Sequence, residues 1–307
     1  MTAISIRGRA RGRGARRMLS VLVGFTVLTG CSVPTDGLAL PARQQAEEYQ
    51  AARFVESLDG LRRYFVEATN IKGTVFTFAS FEGKKAKSEV DTYVLGEPPA
   101  LLTRSRSGHA GDNIDMYHPA GSDQDLLLLG TLYRSLAPTP WVSHRTHFPK
   151  DGFYVCTMTG VMVGCKMLDA MELTQKENPA GLLKKYTRHA DGRVELLTGV
   201  TLKAFLEARV LVLPDVLKAK VTDEMLKQLI PVNIKFAADG SVDKFEMNGV
   251  VKGGPSPFEI QVGYDITGAA TKADFPSLPP RSDVTVLDES GKKRFYDRLG
   301  DLKSQPI

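Results

Sequence analysis

The sequence predicts an α+β domain in which helices cover an antiparallel β-sheet. Residues 44–69 carry apolar side chains, from Phe54 to Phe65, at helical spacing, which predicts an amphipathic helix. The period changes to two in residues 73–95 and again in 232–266, where apolar and polar residues alternate between turns. Strands with one apolar and one wet face are typical of a single-layer antiparallel sheet, whose apolar face the helix would cover.

The chain opens with six arginines and no acidic residue, followed by a 13-residue apolar run from Met18 to Gly30. That run is too short to span a bilayer, which needs about 20 apolar residues. A basic start, an apolar core and small residues before a cut site predict a signal peptide over residues 1–30. Leu28-Thr29-Gly30-Cys31 resembles the lipobox of bacterial lipoproteins, and the resemblance implies cleavage before Cys31 and a diacylglycerol on its sulfur. An ordinary secreted protein with a chance cysteine is the alternative.

The positive charge of the sequence lies in this leader. The formal net charge is +5, and the leader's six arginines account for more than that, so residues 31–307 carry −1. A near-neutral mature chain gives no argument for nucleic-acid binding, which needs a basic face. Residues 31–43 are rich in proline, glycine and small residues and predict a short tether. No later segment approaches membrane-spanning length, so the predicted attachment is the lipid on Cys31, at the extracytoplasmic face of the cell membrane.

The first half of the domain is predicted to be a strand meander, because short aromatic and β-branched runs alternate with turn residues. A turn at Glu82-Gly83-Lys84-Lys85 joins the first two strands, and Pro98-Pro99 ends the second. The run from Asp125 to Leu136 fits a strand or a helix, and Gly130 with its β-rich surroundings favours a strand. The predicted strands are 73–81, 88–95, 100–105, 113–117 and 125–136.

The second half begins with a predicted hairpin over residues 153–165, turning near Gly160, and a helical insertion split at Asn178-Pro179. The insertion comprises helices at 166–176 and 178–186. Later strands are predicted at 194–197, 202–213, 232–236, 242–251 and 258–266, with a short helix at 222–229. Prolines after residue 275 end the sheet. We therefore place one domain at 44–280 and a charged C-terminal tail at 281–307, with a short helix near 295–299.

The cysteine count predicts one disulfide. If Cys31 is lipidated, Cys156 and Cys165 remain as a pair, and outside the cytoplasm such a pair is typically oxidised. The bond would clamp the two arms of the predicted hairpin. Two free thiols are the alternative, and a redox site is disfavoured because there is no Cys-x-x-Cys motif.

Three stretches of the chain resemble the mycobacterial LppX/LprAFG lipoproteins and the wider LolA-like half-barrel group. They are Glu177–Leu183, Ile230–Phe245, and Tyr264–Gly268 followed by Phe275-Pro276. The resemblance covers about residues 44–280 and implies an antiparallel β half-barrel with helices over its concave face and no catalytic residues. The disulfide hairpin and the tail from residue 281 depart from the family's pattern.

A half-open sheet under helices leaves room for an apolar cavity, and methionines suit surfaces that accept varied apolar shapes. The candidate cavity residues are Phe76, Phe78, Leu102, Leu126, Leu128, Met158, Met162, Met167, Met171 and Phe236. The alternative is that these side chains pack a solid core.

Patterns for catalysis and metal binding are missing from the sequence. It contains no Gly-x-Ser-x-Gly, Walker or Gly-x-Gly-x-x-Gly motif. We interpret His144 and His147 as part of a solvated loop and not as a metal-binding pair, and His109, His118 and His189 as surface residues. The neighbouring carboxylates Glu47 and Glu48, and Asp123 and Asp125, are interpreted as solvated charges and not as an acid/base pair. No enzyme activity, cofactor or metal site is therefore predicted.

The basic turn that contains Lys84, Lys85 and Lys87 suits anionic lipid head groups or a solvated hairpin tip. The first functional hypothesis is a membrane-anchored lipoprotein that binds or carries a lipid or lipoglycan in an apolar cavity. The second is a non-enzymatic interaction or sensor lipoprotein of the same fold with a filled core, acting on an envelope protein partner.

Overall fold

The computed structural model describes residues 43–67, 69–106, 111–146, 156, 161–178 and 183–304. The predicted leader, Cys31 and the tether up to residue 42 lie outside the described residues. Residues 42–307 form one compact unit by their own contacts.

The described residues form twelve strands and six α-helices. The strands are β1 (Asn70–Phe81), β2 (Lys84–Leu95), β3 (Ala100–Arg106), β4 (Ile114–His118), β5 (Gln124–Leu129), β6 (Trp141–Arg145), β7 (Lys185–Arg188), β8 (Val194–Thr201), β9 (Leu229–Phe236), β10 (Val242–Val251), β11 (Phe258–Gly268) and β12 (Val284–Leu287). The helices are α1 (Arg43–Val66), α2 (Val161–Glu177), α3 (Leu202–Glu207), α4 (Asp215–Lys218), α5 (Asp223–Lys227) and α6 (Glu289–Ser304).

All twelve strands belong to one open sheet in the order β12-β6-β5-β4-β3-β2-β1-β11-β10-β9-β8-β7. Strand β1 pairs with both β2 and β11, and so joins the N-terminal meander to the C-terminal one. Every pairing is antiparallel except that of β12 with β6. The predicted α+β class, with helices on an antiparallel sheet, is confirmed.

The main core lies between the sheet and the helices α1, α2, α3 and α5. Phe65 of α1 is fully buried and packs against Tyr264 and Phe245, with ring centroids 5.8 and 6.2 Å away. Helix α2 approaches the same ring at Gly164, where a Cβ atom would lie 2.6 Å from Phe65 Cε1. Glycine is therefore needed for this close contact of α1 and α2, and the core here is packed solid.

A second helix covers the continuation of the same sheet face over β4, β5 and β6. Phe295 and Leu299 of α6 pack there against Leu127, Leu129 and Val142. The C-terminal tail that the sequence sets apart at residue 281 thus supplies an edge strand, β12, and a covering helix to the sheet.

The opposite face is covered only in part. Tyr93, Leu102, Tyr117 and Leu126 form a row across β2 to β5. Residues 270–275 lie over this row. A capping box fixes that segment, since Thr271 and Asp274 bond each other's backbone. Lys72 Nζ lies 2.7 Å from Asp274 Oδ1, and Arg104 Nη2 donates to the Asp274 carbonyl at 3.0 Å.

The second arm of the hairpin predicted over residues 153–165 is wrong, because Val161–Cys165 begins helix α2, and of residues 153–160 only Cys156 lies within the described residues. Buried Val161, Cys165 and Leu168 follow helical spacing, and this signal was available in the sequence. The disulfide is present, with Cα atoms 5.6 Å apart, and it ties Cys156 to Cys165, the fifth residue of α2, instead of clamping two strands.

The predicted strand over 202–213 is also wrong. Residues 202–207 form helix α3, because Thr201 caps it by accepting a hydrogen bond from the Ala204 amide at 3.2 Å. Its apolar residues Leu202 and Phe205 are spaced to face the core from a helix.

Two further elements differ from the sequence-based assignment. Strand β5 ends at Leu129, and Thr131–Leu136 forms a 3₁₀ helix. The predicted helix over 178–186 is wrong at its end, where Lys185–Arg188 is strand β7, and residues 179–182 lie outside the described residues.

Candidate functional site

The ten predicted cavity residues do not line one cavity. Met167, Met171 and Phe236 are buried in the main core. Leu102 and Leu126 lie on the other side of the sheet, in the row beneath residues 270–275. The partly buried Leu128 belongs to β5, and the partly buried Met162 to α2. Met158 lies outside the described residues.

Phe76 and Phe78 lie on the face of the sheet opposite the main core, because their neighbours Val75 and Ala79 in β1 are the residues that face the core. Phe76 lies directly over Gly263 of β11, where a Cβ atom would come within 2.4 Å of its ring. Lys244 Nζ lies 5.2 Å from the centre of the same ring. The depression around these residues is polar and charged, with contributions from Arg106, Gln261, Asp265 and their neighbours.

A mainly apolar opening lies at one end of the helix-covered face, between the β1–β2 hairpin and residues 211–217. We call it the apolar groove, and its volume is about 440 Å³. This lies within the range of about 300–1,000 Å³ typical of small-molecule sites. Its lining residues are Ala79, Phe81, Glu82, Lys84, Lys85, Ala86, Leu211, Val212, Leu213, Pro214, Val216, Leu217, Lys220 and Phe258.

The floor of the apolar groove belongs to the sheet. Phe81 and Phe258 are buried with ring centroids 5.0 Å apart, at the adjoining ends of β1 and β11. Ala79 and Ala86 face each other across β1 and β2, and their small side chains leave the space open. The wall is the 211–217 segment, in which Pro214 is the N-cap of α4 and its carbonyl accepts from the Lys218 amide at 2.9 Å.

A tight hairpin and an ion pair fix the mouth of the groove. Glu82 and Gly83 both have positive φ, of 52° and 71°, which is the geometry of a two-residue type I′ turn. The Glu82 carboxylate accepts from Lys220 Nζ at 2.6 Å and from Ser256 Oγ at 2.5 Å. These bonds lower the pKa of Glu82, Lys220 contributing most. The carboxylate therefore connects the hairpin to the chain after α4.

Two large apolar side chains remain exposed beside this mouth. Val212 is 71% and Val216 is 69% exposed, although both belong to the groove lining. Single exposed apolar residues are common, but two on one apolar opening indicate a surface that contacts something apolar. The groove can therefore hold an apolar chain, and its polar groups are confined to the rim.

A buried polar cluster lies elsewhere, where β4, β5, β6 and α6 meet. His118 Nδ1 lies 2.9 Å from Asp125 Oδ1, and Thr146 Oγ1 donates to the second carboxylate oxygen. His144 Nε2 lies 2.9 Å from the hydroxyl of Tyr296 in α6. The interpretations of His118, His144 and Asp125 as solvated are therefore wrong, since all three are less than one-tenth exposed.

The electrostatics of this cluster indicate a structural role. Burial alone would raise the pKa of Asp125, but the bonds from His118 and Thr146 lower it below its ordinary value. Burial raises the pKa of Tyr296, so its hydroxyl stays protonated and pairs with His144. The cluster attaches α6 to the sheet. Alternation along β5 and β6 could have revealed it, because Asp125 and His144 share the face of buried Leu127 and Val142.

Among the described residues, no group of three or more His, Cys, Asp or Glu side chains is arranged to hold a metal ion. Within the same ranges, no helix is long and apolar enough to cross a bilayer. His189 is exposed and His109 and His147 lie outside the described residues.

Comparisons with known proteins give a distant likeness only. No protein-family model matches the chain, and no curated protein matches it in sequence. Among solved structures, the lipoprotein LppX of Mycobacterium tuberculosis is similar over 73% of this chain and 96% of its own, at 12% identity and a TM-score of 0.32.

A DUF1329 family protein from Desulfovibrio piger matches 73% of this chain and 95% of its own at 10% identity and a TM-score of 0.22. An outer membrane lipoprotein-sorting protein domain from Vibrio parahaemolyticus matches with the same coverages, at 8% identity and a TM-score of 0.22. At identities and TM-scores this low, the likenesses carry no argument about function. The fold assignment depends on the sheet and helices described above.

Proposed function

We propose that the chain is a lipoprotein that binds the apolar chain of a lipid or lipoglycan in the apolar groove. In this proposal a diacylglycerol on Cys31 anchors it to the extracytoplasmic face of the cell membrane, and binding involves no covalent chemistry. The observation that supports it is the groove of about 440 Å³, lined by Phe81, Phe258, Leu217 and their apolar neighbours.

The proposal replaces the enclosed cavity expected from the sequence with a surface groove. The space beneath α1 and α2 is filled by side chains such as Phe65 and Phe245, so a ligand there would have to displace packed core. In the groove, an apolar chain would meet exposed carbon without any such displacement. Burial of a chain contributes about 0.8 kcal/mol per methylene, so even partial insertion gives measurable binding.

The second candidate is an interaction lipoprotein without a lipid ligand, and the filled core favours it. In that case the exposed Val212 and Val216 would contact an envelope protein. The two candidates differ in whether the groove takes up an apolar chain from solution.

A titration of residues 32–307 with a fluorescent fatty-acid probe in vesicle-free buffer separates them. Ala86→Trp places a large ring in the groove at an exposed position, and we expect it to weaken probe binding at least tenfold. Ala269→Trp is the matched control, because Ala269 is exposed and follows the opposite end of β11 from Phe258. We expect its affinity to stay within twofold of wild type.

Wild-type protein that takes up no probe would reject the lipid-binding function in favour of the interaction candidate. Equal binding by wild type and Ala86→Trp would place the ligand outside the groove.

A further inference from the structure

We infer that the mouth of the apolar groove is a docking surface for an anionic lipid bilayer. The inference rests on the proposed function and extends it, because it names the source of the ligand chain. A groove that opens onto a bilayer takes an acyl chain from the membrane without exposing it to water.

The charge around the mouth is complementary to an anionic surface. The lining of the groove holds three lysines, Lys84, Lys85 and Lys220, against one carboxylate, Glu82. Lys220 pairs with Glu82 at 2.6 Å, which leaves Lys84 and Lys85 as the excess positive charge at the mouth. All three lysines are exposed, and Lys218 at the end of α4 adds another exposed ammonium group beside the wall. Attraction to an anionic leaflet contributes about 1 kcal/mol per lysine near the surface.

The excess of lysine at the mouth is local. The mature sequence from residue 31 is close to neutral, so general basicity does not explain the lysines at the mouth. Long lysine side chains place their ammonium groups among phosphates while their methylene stems lie along apolar surface.

The apolar part of the mouth matches the same partner. Val212 and Val216 are 71% and 69% exposed, and they lie on the groove wall among these lysines. Apolar side chains flanked by lysines suit the boundary between head groups and acyl chains. A folded protein partner would need acidic residues around an apolar knob, whereas an anionic bilayer offers both features at any position on its surface.

Co-sedimentation with vesicles tests this surface. Residues 32–307 contain every described element and form a compact unit from residue 42, so this chain is used without its lipid. We expect it to sediment with vesicles of phosphatidylcholine containing 30 mol% phosphatidylglycerol, and at least tenfold less with phosphatidylcholine alone. Salt at 0.5 M should release it, because exposed charges are screened over a few ångströms at that concentration.

Two variants locate the contact. Lys84→Glu with Lys85→Glu should weaken vesicle binding at least tenfold. Lys292→Glu with Lys293→Glu makes the same charge change on α6, and we expect binding within twofold of wild type. Val212→Ser with Val216→Ser should weaken binding without altering its salt dependence.

The docking inference is wrong if wild-type protein does not bind anionic vesicles, or if the double variants at Lys84/Lys85 and at Lys292/Lys293 weaken vesicle binding equally. Its failure is separable from that of the proposed function, because the fatty-acid titration contains no vesicles. Probe uptake without vesicle binding supports the groove as the lipid site and rejects the docking surface. Vesicle binding without probe uptake supports the docking surface and rejects the groove as the lipid site.

Discussion

On the same face of the sheet, apolar side chains are buried in one region and exposed to solvent in another. Beneath α1 and α2, Phe65, Phe245 and Tyr264 are buried against each other, and the opening between the two helices and β8 holds only about 40 Å³. Beyond the 211–217 segment, Val212 and Val216 remain exposed over a floor of Phe81 and Phe258. The difference lies in the cover, because long helices close the first region and a four-residue helix, α4, borders the second.

The comparison shows where a half-covered sheet can take a ligand. A well-packed core stabilises the fold but offers no space, whereas an incomplete cover leaves apolar surface available at a small cost in stability. Function is therefore expected at the edge of the cover rather than beneath it.

The largest expected effect is on stability in the closed region. Phe65→Ala should lower the free energy of unfolding by about 3–5 kcal/mol, because it leaves a cavity between α1, α2 and the sheet. Val216→Ser at the groove should change it by no more than about 0.5 kcal/mol, since its side chain is already exposed. Urea denaturation of both variants measures the contrast. Similar losses would show that the groove wall is as tightly packed as the core.

The disulfide should have the next largest effect, because it reinforces the cover of the closed region. Cys156 and Cys165 are nine residues apart, and a ring of this size stabilises a fold by about 2.5–3 kcal/mol in the chain-entropy model. Replacement of both cysteines by serine should lower the free energy of unfolding by that amount and leave fatty-acid probe binding within twofold. Probe binding that rises sharply would mean that the ligand enters beneath α2.

The smallest effect concerns the partial cover of the opposite face. Bonds from Lys72 and then from Thr271 lower the pKa of Asp274 from its ordinary 3.8 to about 2. Because the folded pKa is below the unfolded one, the carboxylate stabilises the fold above about pH 4, and this contribution is lost as pH falls towards 2. Asp274→Asn should flatten the dependence of stability on pH in that window. A carboxyl titration by NMR with a midpoint near 3.8 would contradict the assignment.

Periodicity predicted much of the sheet and the first helix. The alternation of Val232, Ile234 and Phe236 correctly predicts β9, and the stripe from Phe54 to Phe65 correctly predicts α1. It fails at α3 and at the start of α2, because the apolar runs there fit both periods; at α3 the helix is marked by its cap, Thr201. A period alone does not decide between helix and strand in so short a run.

The candidate site was harder to predict, for two physical reasons. A period of two divides a strand into two faces but does not say which one is buried, so the sequence predicts Phe76 as a cavity residue although Val75 is the one that faces the core. The groove also joins residues that are far apart in sequence, since Ala86 of β2 and Val216 of α4 line the same opening. Of the groove lining, the sequence points to a lipid contact only at Lys84 and Lys85, which are adjacent at a turn.

The central claim is that an apolar chain lies in the groove and not within the sheet, and fluorescence quenching tests its location most directly. Trp141 is the single tryptophan of the chain and packs on the opposite face, beneath residues 270–275. A second version of the protein carries Trp141→Phe with Val216→Trp, which moves the fluorophore to the groove wall. We predict that a brominated fatty acid quenches this variant strongly and leaves the emission of Trp141 in wild-type protein unchanged. Quenching of Trp141 instead, or of neither version, would contradict the account.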